Sequence, residues 1–519
     1  MKLYKIFVLL MIGLSITACS DLIEEPVGVL SPEGVFNTTD DIQTAVNGAY
    51  TPAINEEIWG RKLSIALMLR SDMVNLQSSQ TRRVEMDQHT ITGDNEMVYD
   101  PWDRIYSGIA AANTAIYAGE FVDVDETEKN PVIAQAYFIR AFYYFHLVRL
   151  FGDVPYIGEV VTIDNLEAIK TISSTPEAEV YEKIISDLKY AETWLPNSAP
   201  SGLPSKAAAK SYLALVHLTM AGTNGTANFQ KAYDYAKEVI DNKGTYGLGL
   251  DDNFQDLFNA EKVDGLMGPI FVLDYNGVEA DDNAYDQIAP MTGVRGDQSD
   301  YSDDSDDGDG GWSVAVPTLA VYNSFDEGDY RTRVSFQTVA SIKDSIVDYT
   351  NFTYSGHEHA GNQPYIAKYT RFPGEYARGA KRATSHNYSM MRYAEVLLIA
   401  AEAGVEIGAG DALSLLNQVR ARARKGGDST DGGYASETIP ASTIPADLTT
   451  ITVEDVLEER RIELAFECKR WYDIKRRQLG DVVFSASGYE GEKPDWNSAV
   501  DYDTPIPQDE ILANPNITN

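Results

Sequence analysis

Lys206-Ala207-Ala208-Ala209-Lys210-Ser211-Tyr212-Leu213-Ala214-Leu215-Val216-His217-Leu218-Thr219-Met220, a stop at Gly222, then Phe229-Gln230-Lys231-Ala232-Tyr233-Asp234-Tyr235-Ala236-Lys237-Glu238-Val239-Ile240: this passage decides the fold. Ala209, Leu213, Val216 and Met220 recur at helical spacing, and so do Phe229, Ala232, Ala236, Val239 and Ile240. Glycine and asparagine between the two runs leave room for only a short turn, so the helices must lie antiparallel. The alanines allow their backbones to approach closely.

Such a pair is the tetratricopeptide unit in outline, without its full Trp, Leu and Pro signature. Outward from it the same pattern recurs. Ser174 to Glu177 fits a capping box with Pro176 in the first turn, ahead of Val180, Ile184, Leu188, Ala191 and Leu195. Ala134–Phe151 is apolar nearly all round, which predicts a helix buried between neighbours and ended by Gly152. Further helices are expected over Tyr393–Ala403, Ala412–Arg424 and, as one long element, about Val453–Arg477. From Asp251 to Trp312 the chain turns rich in Gly, Asp, Asn and Tyr, the composition of long loops. The expectation is a mostly α protein: a helical region at 33–250, and a region at 251–519 with long loops and little β.

The N-terminus carries an address. Lys2 and Lys5 precede an apolar run, Ile6 to Ile16, too short to span a bilayer. Small residues then lead to Cys19, the lipobox pattern, so residues 1–18 read as a signal peptide and Cys19 as the acylated new N-terminus. Residues 19–32, acidic and without periodicity, read as a tether. The other cysteine, Cys468, then has no partner, and no intrachain disulfide is expected. The formal net charge is −37, and loss of Lys2 and Lys5 makes it −39. A phosphate backbone would be repelled, which excludes nucleic acid as partner.

Several segments together resemble the SusD/RagB family of outer-membrane nutrient-binding lipoproteins. They are Asp40–Tyr50, Trp102–Asn113, Arg140–Phe145 with Leu150–Pro155, Arg392–Leu398, Asn417–Ala423, and Pro505–Ile511 with Asn514–Asn516. The most specific is Glu459–Glu467 leading to Arg470-Trp471-Tyr472-Asp473-Ile474-Lys475-Arg476. One departure is Cys468, where the family usually carries Gly. The resemblance implies a SusD-like fold and a role as a non-catalytic lid. Such a lid would capture oligosaccharides, or peptides in some members, and deliver them to a SusC-like, TonB-dependent barrel. It also implies a lipid-anchored place on the outer membrane, with the acidic tether accompanying export to the cell exterior.

An enzyme reading would make a glycosidase pair of Glu459, Glu463 and Glu467. Acid and base must flank a bond from opposite sides, whereas neighbours on one helical face, interleaved with arginines, suit ion pairing. No nucleophile elbow, Walker loop, dinucleotide fingerprint or zinc spacing occurs, and no cofactor is expected. His146 and His217 lie on apolar helices and read as core residues. Asp303, Ser305 and Asp307 fall at alternate positions before Gly308. Asp303 and Asp307 are therefore weak calcium candidates, but an EF-hand would need an acid where Val314 stands. A sugar site needs aromatic platforms on loops and short polar groups for hydroxyls. Trp59, Tyr99, Tyr275, Tyr301 and Trp312 are the candidate platforms, and Asp72, Asn75, Arg82 and Asn95 the candidate hydrogen-bonding partners. Trp102 and Trp471 fall in scaffold motifs and are assigned to packing.

Overall fold

The computed structural model describes residues 32–223, 225–262, 265–275, 286–294, 311–342, 345–348, 363–374, 383–430, 436–489 and 491–518. The anchor residue Cys19 and the loop residues Tyr301, Asp303 and Asp307 lie outside them.

Helices dominate. In chain order they are α1 (Thr39–Tyr50), α2 (Lys62–Leu69), α3 (Thr81–Gln88), α4 (Glu96–Ala118), α5 (Glu126–Phe151), α6 (Glu177–Trp194), α7 (Lys206–Ala221), α8 (Thr226–Asp241), α9 (Ile288–Thr292), α10 (Tyr393–Ile407), α11 (Ala412–Ala423), α12 (Val453–Glu463) and α13 (Arg470–Arg476). The long ones stack in an array, each against the next: α4 on α5, α5 on α6, α6 on α7, α7 on α8, α8 on α10 and α10 on α11. The α7–α8 hairpin is the predicted pair, and its alanines Ala207, Ala208, Ala209, Ala232 and Ala236 are all buried. Helix α5 runs farther than its sequence pattern suggested, and every residue from Phe138 to Phe151 is buried, as an all-round apolar helix requires. Among the described residues no helix is long and apolar enough to cross a membrane.

The strands are short. β1 (Asn75–Leu76) pairs antiparallel with β3 (Ala315–Val316), in register Asn75↔Val316 and Leu76↔Ala315. β2 (Pro269–Leu273) pairs antiparallel with β4 (Tyr388–Arg392), which passes directly into α10. One hydrophobic cluster takes residues from Ala49 to Ile517 and so runs through both halves of the chain.

Two local expectations fail for tertiary reasons. The Ser174 capping box does not form: its hydroxyl donates to Thr518 O at 3.2 Å, and Asp153 Oδ1 accepts from Glu177 N at 2.8 Å instead. The expected long helix at Val453–Arg477 is broken after Glu463, with Phe466 and Cys468 at positive φ of 65° and 59°. A left-handed residue at 468 accounts for the glycine that the resemblance places there. The Cys468 thiol donates to Ser64 O at 3.3 Å, and burial pushes its pKa up to about 12.

Glu459 and Glu463 on the helix and Glu467 after the break are all buried. Glu463 is 0 % exposed and accepts from Arg331 (3.1 Å), Arg392 (3.0 Å) and Arg422 (2.5 Å). Glu459 pairs with Arg331 and Arg420, and Glu467 with Lys368 and Arg392. The ion-pair reading of these carboxylates is what the structure shows, although the cations come from distant segments rather than from the same helix. Burial works to raise the Glu463 pKa, but the charges of Arg422, Arg392 and Arg331 outweigh it and hold the carboxyl well below its usual range. A depressed pKa contributes stability that is present above pH 4.5, the ordinary glutamate value, and lost as pH falls toward the folded value. Glu463→Gln is expected to cost about 3–5 kcal/mol at neutral pH, read by urea unfolding, because three buried guanidinium groups lose their shared anion. The loss should shrink toward pH 3.

Candidate functional site

Helix α3 is short, and its partner α4 starts only after a turn at 89–95, so the geometry of that turn fixes the surface between them. Asn95 caps α4, its Oδ1 accepting from Met97 N at 2.8 Å. Its amide donates to Arg82 O at 2.9 Å and Glu85 Oε2 at 2.7 Å, which ties the two helices together. The C-terminal tail closes the turn from outside: Gln508 N donates to Gly93 O at 3.1 Å. A Cβ at position 93 would stand 2.7 Å from Ile506 O, so glycine is required by close approach.

The result is an open recess of about 660 Å³, lined by Gln80, Arg82, Glu85, Asp94, Asn95 and Tyr99 among others. Tyr99 stands one turn into α4 and is 43 % exposed. Arg82 is paired with Glu96, and Gln80 Oε1 accepts from its Nε and from a terminal nitrogen at 3.1 and 2.8 Å. An exposed ring flanked by amide, guanidinium and carboxylate groups is able to stack on an apolar face and hydrogen-bond a polar rim.

A second feature adjoins the other side of α3. Gln77 N donates to Val314 O at 2.8 Å, continuing the β1–β3 ladder, and Trp312 N donates to Pro290 O at 2.5 Å. The half-buried Trp312 thereby sits in a tight corner with α9, beside Ser313 at φ 53°. Arg83 reaches the same corner, one terminal nitrogen 3.8 Å from Met291 Sδ and the other 3.3 Å from Ser78 Oγ.

The structure therefore brings together Arg82, Asn95 and Tyr99, with Trp312 at the adjoining corner and Asn75 exposed on β1. Three candidates are corrected. Trp59 is 3 % exposed and packs on Phe142 and His146, with ring centroids 5.5 and 4.4 Å apart. Asp72 is 0 % exposed and held by two hydrogen bonds of 2.8 Å from Arg470. Tyr275, at the end of β2, is buried as well. These residues lie in sequence stretches of loop character, but the loops fold over the helices, and a large ring or a paired carboxylate gains most by going inside. Trp102 and Trp471 are buried as expected. Arg83 and Glu85 escaped the sequence reading; the available signal was two consecutive arginines in the first turn of a helix, where cations oppose the macrodipole.

Among the described residues no group of three or more His, Cys, Asp and Glu side chains could hold a metal ion. A more enclosed hollow of about 280 Å³, near Ser198–Ser205 and His386–Ser389, contains none of the predicted residues.

This architecture is shared with solved proteins of one class, those with the SusD fold. A SusD homolog from Bacteroides thetaiotaomicron superposes with TM-score 0.77 over 93% of this chain and 97% of that one, at 20% identity. A laminarin-binding SusD-like protein gives 0.72 at 22% identity, over 93% of this chain and 98% of that one. The surface glycan-binding protein A of Bacteroides thetaiotaomicron, in complex with laminarihexaose, gives 0.72 at 22%, over 91% and 97%. Residues 344–519 match the SusD family model, and residues 28–218 match a model described as starch-binding, associating with the outer membrane. SusD-like protein P2 of Formosa agariphila is 45% identical over 525 residues, covering 100% of this chain and 99% of that one. A SusD-like protein of Bacteroides ovatus is 27% identical over 91% of this chain and 82% of its own length. The chain belongs to the SusD family.

Beneath the Trp312 corner lies one carboxylate with an unusual setting. Asp286 is 1 % exposed; Thr384 Oγ1 and Ile288 N donate to it, and burial pushes its pKa up to about 7. Between about pH 4 and 7 the folded state then holds a proton that the unfolded chain releases, so stability falls as pH rises through that window. Asp286→Asn is expected to flatten this part of the pH profile, measured as urea midpoints from pH 4 to 8.

Proposed function

We propose that this protein is a surface glycan-binding lipoprotein, which captures oligosaccharides without turning them over and passes them to a SusC-like, TonB-dependent barrel. The observation that carries the reading is the recess, where an exposed Tyr99 stands between the caps and first turns of α3 and α4. Family membership supports it, since a relative of the same fold is described as laminarin-binding and another was solved with laminarihexaose. Two of the three recess carboxylates are engaged, Glu85 with Asn95 and Glu96 with Arg82, which favours binding over acid–base work.

Phe36, just after the expected tether, packs on the cluster of Ala115, Ala118 and Val122, toward the C-terminal end of the 23-residue α4, whereas the recess lies at the N-terminal end of that helix. Acylation at Cys19 then holds the protein to the outer membrane while the recess remains free to meet a partner. The same geometry would present a peptide, the alternative ligand for a lid of this kind.

Calorimetric titration of the whole mature chain against a panel of oligosaccharides and peptides decides between them. Tyr99→Ala is expected to weaken glycan binding about tenfold with no change in melting temperature. Silence across all glycans with a response to peptides would replace the ligand class, and release of reducing sugar would replace the binding role. Separately, Cys19→Ser should abolish palmitate labelling of the protein in cells and release it from the membrane fraction.

A further inference from the structure

The chain carries 42 lysines and arginines against 79 aspartates and glutamates, yet Arg83 has no acidic partner among the described residues. Its guanidinium contacts only Ser78 Oγ and Met291 Sδ among the described residues, and neither is an anion. Its charged neighbours are other arginines: burial, then the charges of Arg82 and Arg61, push its pKa down to about 10. Those two are already matched, Arg82 with Glu96 and Arg61 with Glu56.

The surroundings add to the imbalance. Arg83 occupies the first turn of α3, whose cap Gln80 makes no side-chain bond to the helix because its Oε1 is taken by Arg82. The positive end of the helix dipole therefore faces the same way with no acidic residue in its first turn. Gln77 Oε1 and Ser313 Oγ, on the β1–β3 corner that Arg83 faces, are buried without hydrogen-bond partners. An arginine among like charges, half-buried and with no counter-ion, costs stability and is retained where something else supplies the anion.

We propose that Arg83 makes this a receptor for acidic glycans, receiving a sugar's carboxylate or sulfate ester while neighbouring rings of the chain lie along Tyr99. The proposal rests on the glycan-binding reading above and narrows its ligand class. The surplus of negative charge does not forbid it, because at physiological salt charges beyond about 8 Å are largely screened and the adjacent guanidinium decides. The acids lining the recess with Tyr99 are Glu85, Asp94 and Glu96, and Arg83 lies outside that lining. They set the polarity of the ligand, with its neutral face over Tyr99 and its acidic group toward Arg83. Planar guanidinium matches both carboxylate and sulfate oxygens with paired hydrogen bonds.

The test is titration of the whole mature chain with hexasaccharides of equal length: a neutral glucan, an oligogalacturonate and a sulfated galactan. An acidic hexasaccharide is expected to bind at least tenfold more tightly than the neutral one, and more weakly as salt rises from 0.05 to 0.5 M. Arg83→Gln should reduce acidic binding about 10- to 100-fold and leave neutral binding unchanged, with Arg83→Lys in between. Whichever acidic arm carries the effect identifies carboxylate or sulfate as the group. Neutral binding that depends on Tyr99, together with acidic binding indifferent to both salt and Arg83→Gln, overturns this proposal and leaves the glycan reading standing. Absence of binding to any glycan by the folded wild type overturns both. If Arg83→Gln fails to fold, the wild-type salt dependence and the neutral-to-acidic ratio still decide.

Discussion

Glu463 holds one negative charge at 0 % exposure and shares it among three guanidinium groups that arrive from α11, from the end of β4 and from Arg331. Desolvating any one of these ions costs several kcal/mol, so none can be buried alone. Together with Glu459, Glu467, Asp329, Lys368 and Arg420 they form one buried lattice that only a single relative arrangement of the segments satisfies. A second lattice continues it: Arg460 bonds Glu395 and Asp473, and Arg476 bonds Glu402 and Asp473. The hydrophobic core of the helix array provides the larger share of stability, yet apolar contacts alone tolerate sliding. The ion pairs fix how the segments of the loop-rich half sit on one another, and the Arg470–Asp72 pair ties that half to the helical one.

This use of basic residues shapes the surface. Arg331, Arg392, Arg422, Arg460, Arg461 and Arg476 are all buried, and buried aspartates and glutamates such as Asp329, Glu395, Glu402, Glu459, Glu463, Glu467 and Asp473 accompany them, so the chain's surplus of negative charge stays on the exterior. Arg83, by contrast, stands beside the recess without an acidic partner among the described residues.

The recess depends on the same clamping. The C-terminal tail that bonds Gly93 is fixed upstream through Thr504 and Asp501, which accept from Arg70, a side chain lying 3.9 Å over Trp471 on α13. Binding surface and ion-pair lattice are thus joined by a covalent route through the tail. A change at α13 would reach Tyr99 through backbone position, without touching it.

Periodicity and glycine stops were enough to give a mostly helical chain, the α7–α8 pair and the buried character of α5, because each depends on neighbours within a few residues. Carboxylates spaced by four beside arginines pointed to ion pairing for the same reason. Burial of Trp59, Asp72 and Tyr275 was not legible, since it depends on which distant helix lies over each loop. Local signals were likewise overruled where a remote partner offered more: Ser174 bonds Thr518 rather than capping its helix, and the helix after Glu463 breaks so that Glu467 meets Arg392. Of the site, the sequence by itself determined the residue types Arg82, Asn95 and Tyr99 and their closeness along the chain. Only the tertiary structure decided that they share one recess with Arg83 beside it, because charge compensation and close approach are properties of space and not of sequence distance.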